Sequence, residues 1–154
     1  MDLIETLQGI ELFDGLNLDE LQQIASICHQ RELCKGELLA TEGKSGDDLF
    51  IITSGVVEVV ISQIRGKPRV IINLGTGQII GEMSLVDRGP RSATVRAIQT
   101  PTIVQAIHHD DFHHLCRENS SIGYTVMYNM AADLSFKLRH RNLSEQLGGR
   151  HDNM

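Results

Sequence analysis

The chain has no surplus of positive charge, no apolar run of membrane-spanning length and no paired-cysteine motif, and each gap removes a class of function. Its 14 Lys and Arg stand against 20 Asp and Glu, a formal charge of -6. Affinity for nucleic acid draws on many cations meeting phosphates, so direct DNA binding is not expected. Any anion the chain binds must meet a local positive site. A membrane-crossing helix needs roughly 20 consecutive apolar residues, and no run here approaches that, which argues against membrane insertion. Cys28, Cys34 and Cys116 are odd in number and lack CxxC spacing, so neither a disulfide framework nor a cysteine zinc site is indicated. The opening MDLIETLQGIELF is acidic and does not read as a secretory signal. A reduced, cytoplasmic setting is the expectation. No internal repeat or low-complexity segment is present.

What remains is 154 residues, 41% hydrophobic and 22% charged, enough for one well-filled core and therefore a single domain. Leu3, Ile4 and Leu7 share a helical face. After a turn at Asp14 and Gly15, a second helix is predicted from about Leu18 to Ile27, opened by Asn17 and Glu20 in the spacing of a capping box. From Glu32 to about His108 the period becomes that of β-strands, in short runs such as Leu49 to Ile52, Val56 to Ile61, Val70 to Leu74 and Thr102 to Ile107. Turns near Gly36, Gly43, Gly46, Gly55, Gly66, Gly75, Gly77 and Gly89 divide them, the pattern of a sandwich or barrel. Helical spacing returns from Asp110 to about Arg117 and again from about Ser121 to Gln146. There Val126, Met130, Leu134, Leu138 and Leu147 form a stripe that wants a partner surface. Gly148 and Gly149 are expected to stop that helix and leave 148–154 as a flexible tail.

The segment richest in chemistry is Gly81-Glu-Met-Ser-Leu-Val-Asp-Arg-Gly-Pro-Arg-Ser-Ala-Thr-Val95, between two strand-like runs. Gly81 permits close backbone approach, and Glu82 to Leu85 can form one helical turn whose amides favour an anion. Arg91, fixed after the stiff Gly89-Pro90 pair, offers a planar fork suited to a phosphate. A carboxylate beside such a site is repulsive unless it serves another group, and a sugar hydroxyl is the natural one for Glu82.

This segment resembles the phosphate-binding cassette of the cyclic nucleotide-binding domain family, which reads roughly Gly-Glu-apolar-small-Leu, a few variable residues, then Pro-Arg-small-Ala-Thr-Val. The resemblance extends to Lys35-Gly-Glu-Leu-Leu-Ala-Thr-Glu-Gly43 and Asp48-Leu-Phe-Ile-Ile-Thr-Ser-Gly-Val-Val-Glu-Val-Val60. It implies a mainly β fold, a double-stranded β-helix or jelly-roll barrel with N-terminal helices and a long C-terminal helix. The single domain would span 1–147, with the barrel at about 30–108 and the C-terminal helices at about 110–147. By the same resemblance Glu82 takes the ribose 2′-hydroxyl and Arg91 the exocyclic phosphate oxygens. Gly81 and the backbone of Met83, Ser84 and Ser92 complete the ligand site, and Arg141 and Asn142 on the lid helix reach the base. The implied ligand is cAMP. A cGMP-selective form is the alternative, because the Ser92 hydroxyl can meet a guanine amino group. No cofactor, metal or enzymatic chemistry is implied.

Bacterial members resembling the catabolite activator protein dimerise along the last helix, and the stripe from Val126 to Leu138 would serve a homodimer in the same way. Such members continue into a DNA-reading segment and kinase regulatory subunits into a second cassette. Neither follows Leu147 here, so the signal is expected to pass to an effector protein or dimer interface, through a missing segment, or to end in ligand capture.

Other motifs are weaker. Gly75-Thr-Gly-Gln-Ile-Ile-Gly81 has one residue too many for a dinucleotide fingerprint, and Gly43-Lys44-Ser45 echoes a P-loop whose first glycine is replaced by Leu38. Within His108-His-Asp-Asp-Phe-His-His114, the pairs His109 with His113 and Asp110 with His114 lie one helical turn apart and can in principle hold a metal or support a haem sensor. The competing and favoured reading is a solvated helix start, capped by Asp110 or Asp111, with Phe112 and Leu115 facing the core. A barrel kept only as an interaction scaffold is the third reading.

Overall fold

The computed structural model describes residues 2–62 and 68–152; the side chains of residues 68, 70 and 142–152 lie outside that description. The turn expected at Gly66 and the side chains of Asn142 and Leu147 therefore fall outside the described residues. Helix α1 (Leu3–Gln8) is capped by Asp2, whose carboxylate accepts from the Glu5 amide. Helix α2 (Leu18–Ser26) opens on the full capping box, Asn17 and Glu20 each accepting from the other's backbone amide. A cap of this kind is worth about 1 kcal/mol.

Eight strands follow: β1 (Cys28–Leu33), β2 (Leu38–Ala40), β3 (Asp48–Ser54), β4 (Val57–Ser62), β5 (Pro68–Leu74), β6 (Ile79–Ile80), β7 (Thr94–Ala97) and β8 (Thr102–His108). They pair antiparallel into two four-stranded sheets, ordered β1-β8-β3-β6 and β2-β7-β4-β5. Neighbours in each sheet are mostly distant in sequence, the wiring of a jelly roll, so the expected fold class holds. The first strand begins at Cys28, a few residues before the sequence pattern changes, because β1 is polar along most of its length and carries no apolar alternation.

Strand β3 shows how the core is divided. Successive side chains in a strand point to opposite faces. Phe50 and Ile52 enter the barrel beside Leu33, Val57, Val95 and Val104. Leu49 and Ile51 face outward, onto a second cluster with Leu7, Leu12, Phe13, Ile24, Phe112, Ile122 and Val126 from the helices. All four are buried. The barrel and the helical layer thus share one strand as a common wall.

Helix α3 (His109–Glu118) does bury Phe112 and Leu115, as its spacing predicts, but its cap is His108, whose Nδ1 accepts from the Asp110 amide. Neither Asp110 nor Asp111 plays that part, because the helix starts one residue earlier than the sequence pattern implies. Helix α4 runs Ser120–Asp152, through Gly148 and Gly149, which corrects the expected helix stop. Glycine inside a helix costs only about 1 kcal/mol relative to alanine, so a glycine pair alone does not terminate one.

The α4 stripe also differs from expectation. Val126 and Met130 are buried against the chain's own N-terminal segment and β3, with Leu134 partly buried beside them. Asn129 Nδ2 donates to the carbonyls of Leu12 (3.0 Å) and Asp14 (2.8 Å), fastening the helix there. Among the described residues of the stripe only Leu138, 57% exposed, stays outside the core, so that part of the stripe is not a free docking face. Phe112→Ala, which would open a cavity where barrel and helices meet, is expected to lower stability by about 3–5 kcal/mol, measured by chemical denaturation.

Candidate functional site

The segment from Gly81 to Val95 leaves β6, makes one tight helical turn over Glu82–Leu85 and returns into β7. Gly81 opens the turn at φ 77°, a left-handed conformation that side chains resist. A Cβ there would collide with Arg91 Nη1 and crowd the Asp48 carbonyl. A Cβ on Gly46, which is buried, would strike the same guanidinium. Arg91 is therefore threaded between two glycines, and the missing side chains are what admit it.

Its hydrogen bonds fix it further. Arg91 Nη1 donates to Ser84 Oγ and Nη2 to the Asp48 carbonyl, both at 2.8 Å. Its backbone is tied to the loop before β3, with the amide donating to the Lys44 carbonyl and the carbonyl accepting from the Gly43 amide. The guanidinium carbon lies 5.6 Å from the Phe50 ring centre, within cation–π range. Burial pulls the Arg91 pKa below its usual value, and the nearby carboxylates of Asp48 and Asp47 pull it back up. No carboxylate forms an ion pair with it among the described residues. A partly desolvated cation held by neutral oxygens gains from any anion that reaches it.

The remaining cassette residues are less uniform. Ser84 is buried and its hydroxyl holds Arg91, but its amide donates to the Gly81 carbonyl within the turn (2.9 Å) and is already engaged. Met83 and Ser92 are exposed. Glu82 does not share a cavity with Arg91. Its carboxylate turns toward α4, 3.9 Å from Lys137 Nζ, and lines a cavity of about 860 Å³ between the N-terminal segment, β6 and α4. Arg91 lines another, of about 420 Å³, between β1, β2 and the loop before β3. The two side chains that the resemblance assigns to one nucleotide thus line different cavities. In its own cavity the Glu82 carboxylate has a cation, Lys137, within ion-pair distance.

Lys137 was not singled out by the sequence. Its ammonium donates to Asp133 Oδ2 at 2.8 Å, one helical turn back, and this bond holds its pKa above the ordinary value. The contact from α4 to the cassette comes from Lys137, a turn before the expected Arg141 and Asn142. Arg141 is exposed, and the side chain of Asn142 is outside the described residues. An acid and a lysine in i, i+4 spacing was the available signal, but such pairs are common on exposed helix faces.

The histidines are engaged in structure. His113 Nε2 lies 2.6 Å from the Leu85 carbonyl, which accepts its bond, so α3 braces the far end of the cassette turn. His109 stacks on His113 with ring centres 4.2 Å apart. His114 turns outward to Glu118 (3.1 Å), and Asp110 pairs with Arg88 rather than with His114. His109 and Arg88 together hold the Asp110 carboxyl below its usual pKa, the histidine bond being the larger cause. Among the described residues no group of three potential metal ligands converges, and no helix is long and apolar enough to cross a membrane.

Comparison with known proteins agrees with this architecture. The family model described as "Cyclic nucleotide-binding domain" matches residues 30–119, which include the whole cassette. The cyclic AMP receptor protein of Thermus thermophilus is 31% identical over 141 residues, 92% of this chain and 63% of that protein. The cGMP-dependent 3′,5′-cGMP phosphodiesterase A of Dictyostelium discoideum is 28% identical over 144 residues, 92% of this chain and 16% of its relative. Among solved structures, the N-terminal domain of a transcriptional regulator from Streptomyces coelicolor A3(2) superposes with a TM-score of 0.82 at 26% identity, covering 91% of this chain and 95% of that one. The chain thus spans less than two thirds of the length of these two relatives. With its barrel, cassette turn and flanking helices in the family's order, the chain belongs to the cyclic nucleotide-binding domain family.

Proposed function

We propose that the chain is a regulatory, non-enzymatic module that holds a cyclic mononucleotide, cAMP in the first instance, and passes the binding event on through α4. The observation that carries this reading is the Arg91 guanidinium, desolvated and without a carboxylate partner, fixed against Gly81 and Ser84 in the segment that matches the family's cassette. In this reading Arg91 takes the exocyclic phosphate oxygens, Gly81 lets the ligand approach the turn, and the backbone of Met83 and Ser92 supplies further donors. Glu82 takes the ribose hydroxyl. Since Glu82 directly follows Gly81, turning its side chain away from Lys137 would bring the carboxylate to the ligand without moving the barrel.

That exchange is the proposed means of transmission. The ribose and Lys137 compete for one carboxylate, so ligand capture loosens the link between cassette and α4. An effect on α4 is bounded by the difference in ligand affinity between the two arrangements. A homodimer along α4 would use its exposed face, where Tyr124 and Tyr128 stack with ring centres 6.0 Å apart and Leu138 follows, and an effector protein can read the same surface. We place the module in the cytoplasm.

The cGMP alternative is favoured by one observation: Ser92 is exposed, and its hydroxyl has no partner among the described residues. Titration calorimetry with cAMP and cGMP side by side separates the two, and light scattering in the same samples follows the mass. Tighter cAMP binding with a dimer mass is the expected result. Arg91→Ala should weaken nucleotide binding about a hundredfold or more, the cost of a charge-assisted contact to phosphate. Equal binding by wild type and variant removes Arg91 from the site. Lys137→Met should strengthen binding by up to about fivefold, since it removes a competitor worth ~1 kcal/mol or less in an exposed pair. Weaker binding would instead make Lys137 a ligand contact.

A further inference from the structure

The cavity of about 420 Å³ that Arg91 lines is not the one that Glu82 lines. Its walls bring Arg31 from β1 and Lys44 from the loop before β3 together with Arg91, three cations facing the two carboxylates of Asp47 and Asp48. The carboxylates are partly committed elsewhere. Asp47 lies 3.5 Å from Arg88, which does not line the cavity. Asp48 offers Arg91 its main-chain oxygen. Neither Arg31 nor Lys44 makes an ion pair among the described residues.

The cations are also held near one another. The guanidinium carbons of Arg31 and Arg91 lie 5.9 Å and 5.6 Å from the centre of the same ring, Phe50, which is buried. Arg31 and Lys44 are exposed and Arg91 is half-buried, so Arg91 is the least screened of the three. Lys44 belongs to the loop whose backbone is bonded on both sides to Arg91. Three cationic residues thus line a concave space that holds two carboxylates.

We propose that this cavity is a second anion site, separate from the nucleotide cassette, that takes a phosphate dianion, either free or as the end of a phosphomonoester. Arg31 and Lys44 supply the charge that distinguishes it, and Arg91 is shared between the two sites. A dianion gains more from three cations than the single charge of a cyclic phosphodiester does. The volume exceeds that of one phosphate and leaves room for the organic part of a monoester. Because one guanidinium serves both sites, phosphate and cyclic nucleotide exclude each other. That last consequence rests on the reading of Arg91 given above; the anion site itself does not.

The test titrates the full chain with inorganic phosphate and, separately, with glycerol phosphate, following the backbone amide resonances of Lys44 and Gly46 at low and high salt. Saturable shifts are expected, weaker at high salt. They should weaken about tenfold or more in the double variant Arg31→Gln, Lys44→Gln, whose altered side chains are exposed. In phosphate-free buffer that variant should bind cyclic nucleotide like the wild type, and added phosphate should raise the apparent nucleotide Kd of the wild type alone. Tighter binding of glycerol phosphate than of phosphate identifies a monoester as the occupant, and equal binding the free ion. Absent shifts, or shifts unchanged in the double variant, overturn the proposal. Saturable phosphate binding without any cyclic nucleotide binding would leave the second site standing and bring down the nucleotide reading instead.

Discussion

A single half-buried guanidinium organises the cassette end of this molecule. Arg91 is confined by two positions that have no side chain, Gly46 and Gly81, and satisfied by two neutral oxygens, Ser84 Oγ and the Asp48 carbonyl. Each partner comes from a different piece of chain: the loop before β3, the start of β3, the residue after β6 and the cassette turn. Any shift in how the two sheets close therefore reaches Arg91 directly. Arg91 lines one cavity and Glu82 another, and the charge on their walls differs.

Much of this was readable from residue order. The cassette is compact in sequence, and its glycine, acid, small residue and arginine must stand at fixed spacing for one tight turn to present them, so the linear pattern carries the three-dimensional one. The strands were legible for a similar reason. Alternation along Leu49 to Ile52 is nearly absent because both faces of β3 are buried, and a short, wholly apolar run between turns still reads as a strand. The capping box at Asn17 and Glu20 is a purely local device and was recovered intact.

What stayed hidden depended on distant partners. The cation that Glu82 meets, Lys137, lies far along the chain, and no local feature of the cassette encodes that contact. Arg31 and Lys44 look like ordinary surface cations until β1 and the loop before β3 are folded onto one cavity. The α4 stripe was correct as a periodicity, yet an apolar stripe specifies burial without naming its cover. Here the cover is the N-terminal segment, to which Asn129 is bonded. The glycine pair near the end of α4 illustrates the converse error, a local signal of weak energy read as a strong one.

The same division of α4 constrains how a ligand's arrival can be felt. The first half of the helix is fixed by Ile122, Val126 and Met130 in the core and by the two hydrogen bonds of Asn129, so displacing it would expose apolar area worth several kcal/mol. Beyond Leu134 the described side chains from Ser135 to Arg141 are exposed, and an ion pair from Lys137 to Glu82 joins this part to the cassette. An exposed pair at that distance is worth ~1 kcal/mol or less. In the proposed function, a cyclic nucleotide that draws Glu82 away would weaken that ion pair while the core contacts keep the inner half of α4 in place. The boundary falls between Met130 and Lys137, where the helix passes from the core to the cavity that Glu82 lines.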